Sequence, residues 1–493
     1  MNRPQTILAL EILSLVAVTL LIYARGAAGP FLYDDIAFVV DNPAAADFSL
    51  ALQTFGSPAA TSTRDFPKQV YRPLIPPLYA LVHAIGGMRP FFFHWLNYLV
   101  HAGGAILLFL LLLKLTAARD ASFAAAVWWA VHPAHVEAVQ WISGLDDVLC
   151  PLLLLLTFLL FLSGRRLGAG LAYLAALLTK EVAVMAPPLL FVLAFREAAG
   201  DGRPRARAAA LRTVFYFLAA GAYVLLRQSL IGLQQDSQYW GHSLAATLLT
   251  MSHSFLIYLR LIFFPLSLRI NYLFDIVRGF SPLVLAAAVV LALLAIVMIA
   301  CARRRFPVSF GIGWFFVFMF PASNVLPILA LVGERFLYLP LAGVAMLIAA
   351  VGAGLKTRRR WFALAWCLLI FWLAVGSYQR VGVWLDEEVF WRDILRKEPE
   401  ILGYRNSLGS YYARQGRFAE AEALFMEVLQ KRPADFLAAE NLALLYLDTG
   451  RPAQSLSMYR QLQAFRPNEP RYRQGLEKAE KALAAAAPQN AEP

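Results

Sequence analysis

Long apolar segments dominate this chain, and they restrict its fold more than any other feature. Runs such as 151–162 and 283–300 approach the length that a helix needs to cross a bilayer core of about 30 Å. Of the 493 residues, 60% are hydrophobic and only 15% are charged, whereas a soluble domain has about 25% charged residues. The mean hydropathy is +0.59. These values predict an all-α fold, a polytopic bundle of transmembrane helices.

Basic residues form tight clusters between the apolar segments. The net charge of +12 could indicate nucleic-acid binding, but the arginines at 165–166 and 303–305 directly flank apolar segments. Short positive loops of this kind stay on the cytoplasmic side of a membrane. The charge pattern therefore indicates topology signals and excludes nucleic acid as a partner.

Twelve apolar segments are candidate helices. They are 6–23, 91–114, 120–138, 146–163, 167–179, 182–195, 211–227, 244–264, 283–301, 307–322, 335–355 and 361–378. If every basic cluster is cytoplasmic, consecutive clusters must enclose an even number of spans, yet three segments separate Arg212 from Arg303. Segment 244–264 contains His253 and Arg260 and suits a helix lying flat at the outer interface, with the short segment 307–322 as the alternative. We therefore expect about eleven spans, a cytoplasmic N-terminus and an extracytoplasmic C-terminal region.

The unusual polar residues of the apolar part fall on loops and helix ends that this topology assigns to the outer face. Ionisable residues near the membrane are costly and mark functional sites. Their convergence predicts one extracytoplasmic site, formed by Asp34, Asp35, Arg72, His132, His135, Glu137, Asp146, Asp147, Lys180, Glu181, Glu334 and Arg335.

Asp34 and Asp35 are adjacent carboxylates that directly follow the first apolar segment. Such a pair suits a general base that accepts a hydroxyl proton, or a metal ligand. A solvated pair in a loop is the alternative interpretation.

Lys180 and Arg335 lie at the ends of apolar segments, each beside a glutamate. Cations in this position can hold a lipid-linked phosphate, and arginine adds bidentate contacts. Ion pairs with the neighbouring Glu181 and Glu334 would instead give them a structural role.

His132, His135 and Glu137 have a spacing that could bind metal. Two histidines and one glutamate lack a further ligand, so hydrogen bonding within the fold is favoured. No metal site is predicted and no cofactor is required, although a divalent cation could bind. The sequence also contains no Gly-rich phosphate loop.

The C-terminal region contains a repeat of 34 residues. The matching pairs are Leu408 and Leu442, Tyr412 and Tyr446, Gly416 and Gly450, Phe425 and Tyr459, and Pro433 and Pro467. This period is that of the tetratricopeptide repeat (TPR), which builds an α-solenoid. We expect a membrane domain over 1–380, with an outer loop at 24–90, and TPRs over 381–485. Within the latter lie a partial repeat at 386–403, repeats at 404–437 and 438–471 and a capping helix at 472–485, and a disordered tail follows at 486–493.

Eight motifs, in their order along the chain, resemble those of one protein family. They are YDDIAFVVDNP (33–43), YRPL (71–74), FHWLNYLVHA (93–102), HPAHVEAVQWISGLDD (132–147), LLTKE (177–181), NVLPI (324–328), ERFLYLP (334–340) and a tryptophan-rich stretch at 384–393. This order is similar to that of the transmembrane and TPR-containing O-mannosyltransferase-like proteins of the GT-C superfamily, including bacterial relatives, and it covers essentially the whole chain. The animal members carry many more TPRs than the two to three predicted here. This difference leaves the class of acceptor open.

The resemblance implies a GT-C-like membrane glycosyltransferase. It implies transfer of a sugar from a polyprenyl-phosphate donor to a protein Ser or Thr hydroxyl, with Asp35 or Asp34 as the catalytic base. The lipid phosphate would lie near Lys180 and Arg335, and the TPR groove would bind an acceptor protein or peptide. A bacterial source places the chain in the inner membrane and its TPRs in the periplasm.

Two other functions are consistent with the sequence. One is an O-antigen-ligase-like or oligosaccharyltransferase-like enzyme that uses lipid pyrophosphate glycans, although such enzymes place their essential residues in a late outer loop. The other is a non-catalytic membrane scaffold that recruits partners through its TPRs, although about eleven spans exceed what an anchor needs.

Overall fold

The structure is a computed structural model that describes residues 3–57, 70–198, 204–232, 239–328, 330–354 and 359–486. These residues form helices and connecting turns, and they contain no β-strand. The chain divides into two compact units, Met1–Leu385 and Asp386–Pro493. The division follows Leu385, whereas the sequence pattern placed it after residue 380.

The first unit contains fifteen α-helices within the described residues. They are α1 (Arg3–Tyr23), α2 (Phe48–Gln53), α3 (Ile75–Gly86), α4 (Pro90–Thr116), α5 (Arg119–Ala130), α6 (Val136–Gln140), α7 (Leu145–Leu162), α8 (Arg166–Thr179), α9 (Ala186–Glu197), α10 (Arg205–Ile231), α11 (Leu244–Phe263), α12 (Pro282–Arg304), α13 (Phe306–Met319), α14 (Pro340–Gly354) and α15 (Arg359–Val383).

Eight helical segments of the described chain are long and apolar enough to cross a membrane. They are Gln5–Ala28, Pro90–Thr116, Ile142–Leu162, Arg205–Ile231, Leu244–Phe263, Pro282–Arg304, Phe306–Ser323 and Trp361–Val383. The predicted fold class, a polytopic helical membrane bundle, is confirmed. The apolar helices α3, α8 and α14 have only 10–17 residues. They are shorter than the roughly 20 residues that a perpendicular span needs.

Two of the differences from the predicted segments have a local cause. Segment 120–138 is not one helix, because α5 ends at Ala130 and Pro133 then begins a short 3₁₀ turn; the residue before a proline disfavours the helical conformation. The helix α3 lies within the predicted outer loop 24–90. Its Pro76 and Pro77 stand in the first turn, where proline is well tolerated.

The packing of the first unit is centred on α4. This helix contacts α1, α5 and α7, while α7 also packs on α8, and α13 packs on α14. Trp129 of α5 and Trp314 of α13 are fully buried. Their indole N–H groups donate to the carbonyl oxygens of Tyr338 and Leu339, at 3.2 and 2.9 Å. These bonds fix the segment that leads into α14.

The second unit consists of helices that pack consecutively in pairs. They are α16 (Glu387–Lys397), α17 (Leu402–Arg414), α18 (Phe418–Lys431), α19 (Phe436–Asp448), α20 (Pro452–Phe465) and α21 (Pro470–Ala486). An added Cβ at Gly409 would lie 2.6 Å from the ring of Phe425, so this glycine lets α17 approach α18 closely. Of the tail predicted at 486–493, Ala486 ends α21, and residues 487–493 lie outside the described part of the chain.

Candidate active site

The segment after α1 forms a tight turn over residues 32–35, and Asp35 holds it closed. The N–H of Asp35 donates to the carbonyl of Leu32 at 3.0 Å, and the N–H of Leu32 donates to Oδ2 of Asp35 at 2.9 Å. The other carboxylate oxygen, Oδ1, accepts from the N–H of Ser143 at 2.7 Å. Asp35 therefore ties the turn to the segment before α7. The two residues at the tip of the turn are Tyr33 and Asp34.

The two adjacent aspartates have different surroundings. Asp35 is buried, and burial raises its pKa from 3.8 to about 7, although the N–H groups of Leu32 and Ser143 oppose the rise. Asp34 is half-buried, and burial raises its pKa to about 6, while the positive charge of Arg335 opposes the rise. Both carboxyls thus titrate near neutral pH, and Asp34 is the one that solvent reaches.

Arg335 belongs to a 3₁₀ turn, Glu334–Leu337, that precedes α14. Its guanidinium pairs with Oε1 of Glu137, and its backbone N–H donates to Oε2 of the same carboxylate at 3.0 Å. The Glu137 side chain is 0% exposed, whereas that of Arg335 is 21% exposed. One buried carboxylate therefore orients an arginine whose charge also acts on Asp34 and Asp147.

Lys180 pairs with two aspartates from the first turn of α7. Its Nζ lies 2.5 Å from Oδ1 of Asp147 and 3.2 Å from Oδ2 of Asp146. Asp146 and Asp147 are at a helix N-terminus and Lys180 directly follows the C-terminus of α8, so each charge also suits the helix dipole beside it. The ends of α7 and α8 meet at this ion pair.

Arg72 extends the same network from the segment before α3. It pairs with Asp146 and, at 2.9 Å, with Glu181. Burial alone would raise the pKa of Glu181, but Arg72 and Lys180 hold it at about 2, so this carboxylate stays ionised. Glu181 is 43% exposed, and Arg72 is 26% exposed. This end of the network opens to solvent.

Glu334 lies apart from the cations just described, although it is the neighbour of Arg335. It is fully buried and accepts from the Tyr272 hydroxyl at 2.5 Å and from the N–H of Arg269. Burial raises the pKa of Glu334 to about 7, and the charge of Arg380 opposes the rise. Its contacts join the loop after α11 to the turn before α14, rather than to Lys180 or Arg72.

His132 and His135 are fully buried and do not reach the exposed part of the network. A ring nitrogen of His132 lies 3.1 Å from the carbonyl oxygen of Ile262, and the His135 ring packs on Trp129 and Tyr338. Burial lowers the pKa of His132 to about 4, so it is neutral at pH 7. Within the described ranges, no group of three or more His, Cys, Asp or Glu side chains could hold a metal ion.

Three further groups contact the residues of this site but were not predicted from the sequence: Tyr33, Trp141 and the backbone N–H of Ser143. The Tyr33 ring lies 5.6 Å from that of Trp141, and the Arg335 guanidinium lies 5.5 Å from the Trp141 ring. Trp141 and Ser143 lie within the motif HPAHVEAVQWISGLDD, and their position in that motif is the sequence signal that could have identified them. Backbone donors have no signal in a sequence pattern.

The C-terminal unit matches the tetratricopeptide repeat family over residues 412–479. The 34-residue period therefore identified the repeat correctly.

Curated relatives extend the comparison to the first unit. A protein O-mannosyl-transferase of Caenorhabditis elegans is 24% identical over 409 residues, which are 76% of this chain and 56% of the worm protein. Protein O-mannosyl-transferase TMTC1 of Mus musculus is 34% identical over 32% of this chain and 17% of its own length, and TMTC4 of Homo sapiens is 31% identical over 29% and 22%. The chain thus spans about half of the worm relative and less of the mammalian ones. No solved structure matches.

The order of the membrane motifs, the repeat unit and these relatives agree. The resemblance inferred from the motifs is confirmed: the curated relatives of this chain are TMTC-type protein O-mannosyl-transferases, and its C-terminal unit matches the TPR family.

Proposed function

We propose that this chain is a membrane glycosyltransferase that moves a sugar from a polyprenyl-phosphate donor to a Ser or Thr hydroxyl of a protein on the periplasmic face. Because its relatives are protein O-mannosyl-transferases, mannose is the first sugar to test. One observation carries the proposal most: the half-buried Asp34 carboxylate stands at the tip of a fixed turn, under the influence of the Arg335 cation.

Asp34 is better placed than Asp35 to act as the base. Both oxygens of Asp35 already accept backbone N–H groups, and its side chain is buried. A general base must come within hydrogen-bonding reach of the proton that it removes. We therefore assign the proton transfer to Asp34 and give Asp35 the role of positioning the turn.

The proposed reaction is a single displacement. Asp34 takes the proton of the acceptor hydroxyl while the hydroxyl oxygen forms a bond to the anomeric carbon of the sugar. The bond between that carbon and the phosphate oxygen breaks, and its electron pair stays on the phosphate. Positive side chains stabilise the leaving phosphate, so the step requires no cofactor.

The candidate phosphate ligands already have carboxylate partners, which decides where a phosphate can enter. Glu137 is buried against Arg335, and Asp146 and Asp147 are largely buried against Lys180. Glu181 is the exposed partner, and water can solvate it after it leaves Arg72. We therefore propose that the donor phosphate displaces Glu181 from Arg72 and then also contacts Lys180, which is within the same network.

The second unit receives the acceptor polypeptide in this proposal. TPR repeats expose extended binding surfaces along their stacked helices.

Glycoproteomics of periplasmic proteins tests the proposal in cells. The wild-type strain should carry a hexose on specific Ser or Thr residues, and both a deletion strain and an Asp34→Asn strain should lack it. Glycans that are unchanged in the deletion strain would contradict the proposal. Loss of the hexose on deletion, with full retention in the Asp34→Asn strain, would support a scaffold.

A further inference from the structure

Tyr33 occupies a backbone position that ordinarily favours glycine. It is the second residue of the turn 32–35, and its φ is 55°. Turns with a positive φ at this position are dominated by Gly, Asn and Asp. A bulky aromatic residue in this conformation is an outlier, and such outliers concentrate at ligand sites. The turn thereby presents an aromatic ring, 37% exposed, directly beside Asp34.

The Tyr33 ring forms a surface with a second aromatic side chain. Its centroid lies 5.6 Å from that of Trp141, at an interplanar angle of 35°. Trp141 is only 8% exposed, and within the described residues its indole N–H has no hydrogen-bond partner. Asn97 donates to the Trp141 carbonyl at 2.8 Å and so fixes the backbone of that residue.

Polar groups surround this aromatic pair on the side of the candidate base. The Arg335 guanidinium lies 5.5 Å from the Trp141 ring, and its charge acts on the Asp34 carboxylate. The surface thus combines an exposed tyrosine ring, backed by the Trp141 ring, with a cationic donor and an anionic acceptor.

A pyranose ring has the matching chemistry. One of its faces presents C–H groups that pack on aromatic rings, and its rim carries hydroxyls that bind Arg and Asp side chains. A lipid chain would remove water from the half-buried Asp34 carboxylate without offering a hydrogen bond in return, at a cost. Binding sites of this kind combine aromatic walls with a few convergent polar groups.

We propose that Tyr33 and Trp141 form the platform on which the sugar ring of the donor packs, next to Asp34. This inference rests on the proposed function and deepens it, because it assigns the residues that recognise the sugar rather than the phosphate or the lipid. Aromatic residues also anchor proteins at the bilayer interface, and the experiment separates that role from sugar binding.

The test measures binding of two probes to the full chain in lipid nanodiscs: polyprenyl phosphate bearing one mannose, and the same polyprenyl phosphate without sugar. The wild type should bind the mannosylated lipid more tightly. Tyr33→Ala should weaken that binding roughly tenfold, a change of about 1.4 kcal/mol, and leave the sugar-free lipid unchanged. Tyr33→Phe, which keeps the ring, should retain most of the affinity.

Two further variants control for folding and for a general aromatic effect. Tyr33→Gly removes the ring and supplies the residue that the turn favours, so it replaces the alanine variant if that one misfolds. Phe91 is a matched control, because its exposed ring packs on Trp95 at 6.0 Å. Phe91→Ala should change neither affinity.

The outcomes separate this inference from the proposed function. Suppose that the wild type prefers the mannosylated lipid, but loss of the Tyr33 ring lowers the affinity for both probes equally or for neither probe. The proposed platform is then wrong, and the proposed donor class stands. If the wild type binds neither probe, the donor class is wrong and the platform falls with it.

Discussion

Replacement of Asp35 by alanine removes both acceptors that hold the turn 32–35. The N–H groups of Leu32 and Ser143, at 2.9 and 2.7 Å from the carboxylate oxygens, would lose their partner. Each buried donor left unsatisfied costs about 1–3 kcal/mol, so the free energy of unfolding should fall by roughly 2–6 kcal/mol. This decrease in the free energy of unfolding should be larger at low pH than at high pH.

The pH dependence follows from the pKa of Asp35. Burial raises it from 3.8 to about 7 in the folded protein, so the folded state binds this proton more tightly than the unfolded state. Wild-type stability should therefore fall as the pH rises from about 4 to about 7, by an amount on the order of 4 kcal/mol. The alanine variant lacks this group and should lack this part of the slope.

Thermal unfolding of the full chain in nanodiscs at pH 5 and pH 8 measures both effects. Asp34→Asn is the matched variant: burial raises the pKa of the half-buried Asp34 to about 6, so its neutral replacement should not lower the free energy of unfolding at pH 8. Unfolding temperatures of Asp35→Ala that equal the wild type at pH 5 would refute the positioning role. So would a larger loss in Asp34→Asn than in Asp35→Ala.

Three further predictions concern the pH profile, the buried ion pair and the repeat. Sugar transfer should rise with pH through about 6, since the base must be ionised and burial raises the pKa of Asp34 to that value; a rate that falls over this range would contradict the assignment. Arg335→Gln should lower the free energy of unfolding by about 3–5 kcal/mol, because Glu137 is 0% exposed and would lose its cation. Adding Glu137→Gln should restore much of that stability, as thermal unfolding would show, without restoring transfer. Gly409→Ala should destabilise the repeat unit by about 1–3 kcal/mol, because the added Cβ would lie 2.6 Å from a ring carbon of Phe425. Gly403 has open space around it, so Gly403→Ala should not destabilise the unit. Limited proteolysis of the full chain compares the two variants.

The sequence predicted the helical membrane architecture and the repeat for clear physical reasons. Apolar runs and a 34-residue period persist over many residues, and no local contact has to be known to recognise them. The number of spans is harder, because helix breaks such as the one at Pro133 divide an apolar segment without changing its hydropathy. Eight described segments meet the length criterion, and the predicted flat position of segment 244–264 remains a prediction.

The sequence could single out charged residues as candidates for the site, but not their partners. Charged residues beside apolar segments are unusual enough to single out Lys180, Arg335 and Asp34. Their pairing depends on which helix ends meet, and Glu334 lies only one residue from Arg335 yet contacts a different loop. Likewise, only the folded turn distinguishes the buried Asp35 from the accessible Asp34.

Sugar transfer by the purified chain tests the proposed function directly. Full-length protein in nanodiscs would be incubated with a Ser/Thr-containing acceptor peptide and either a polyprenyl-phosphate or a polyprenyl-pyrophosphate mannose donor, and mass spectrometry would detect the added hexose. We expect a hexose on the peptide with the monophosphate donor, and its loss in Asp34→Asn. Transfer from the pyrophosphate donor alone, or undiminished transfer by Asp34→Asn, would contradict it.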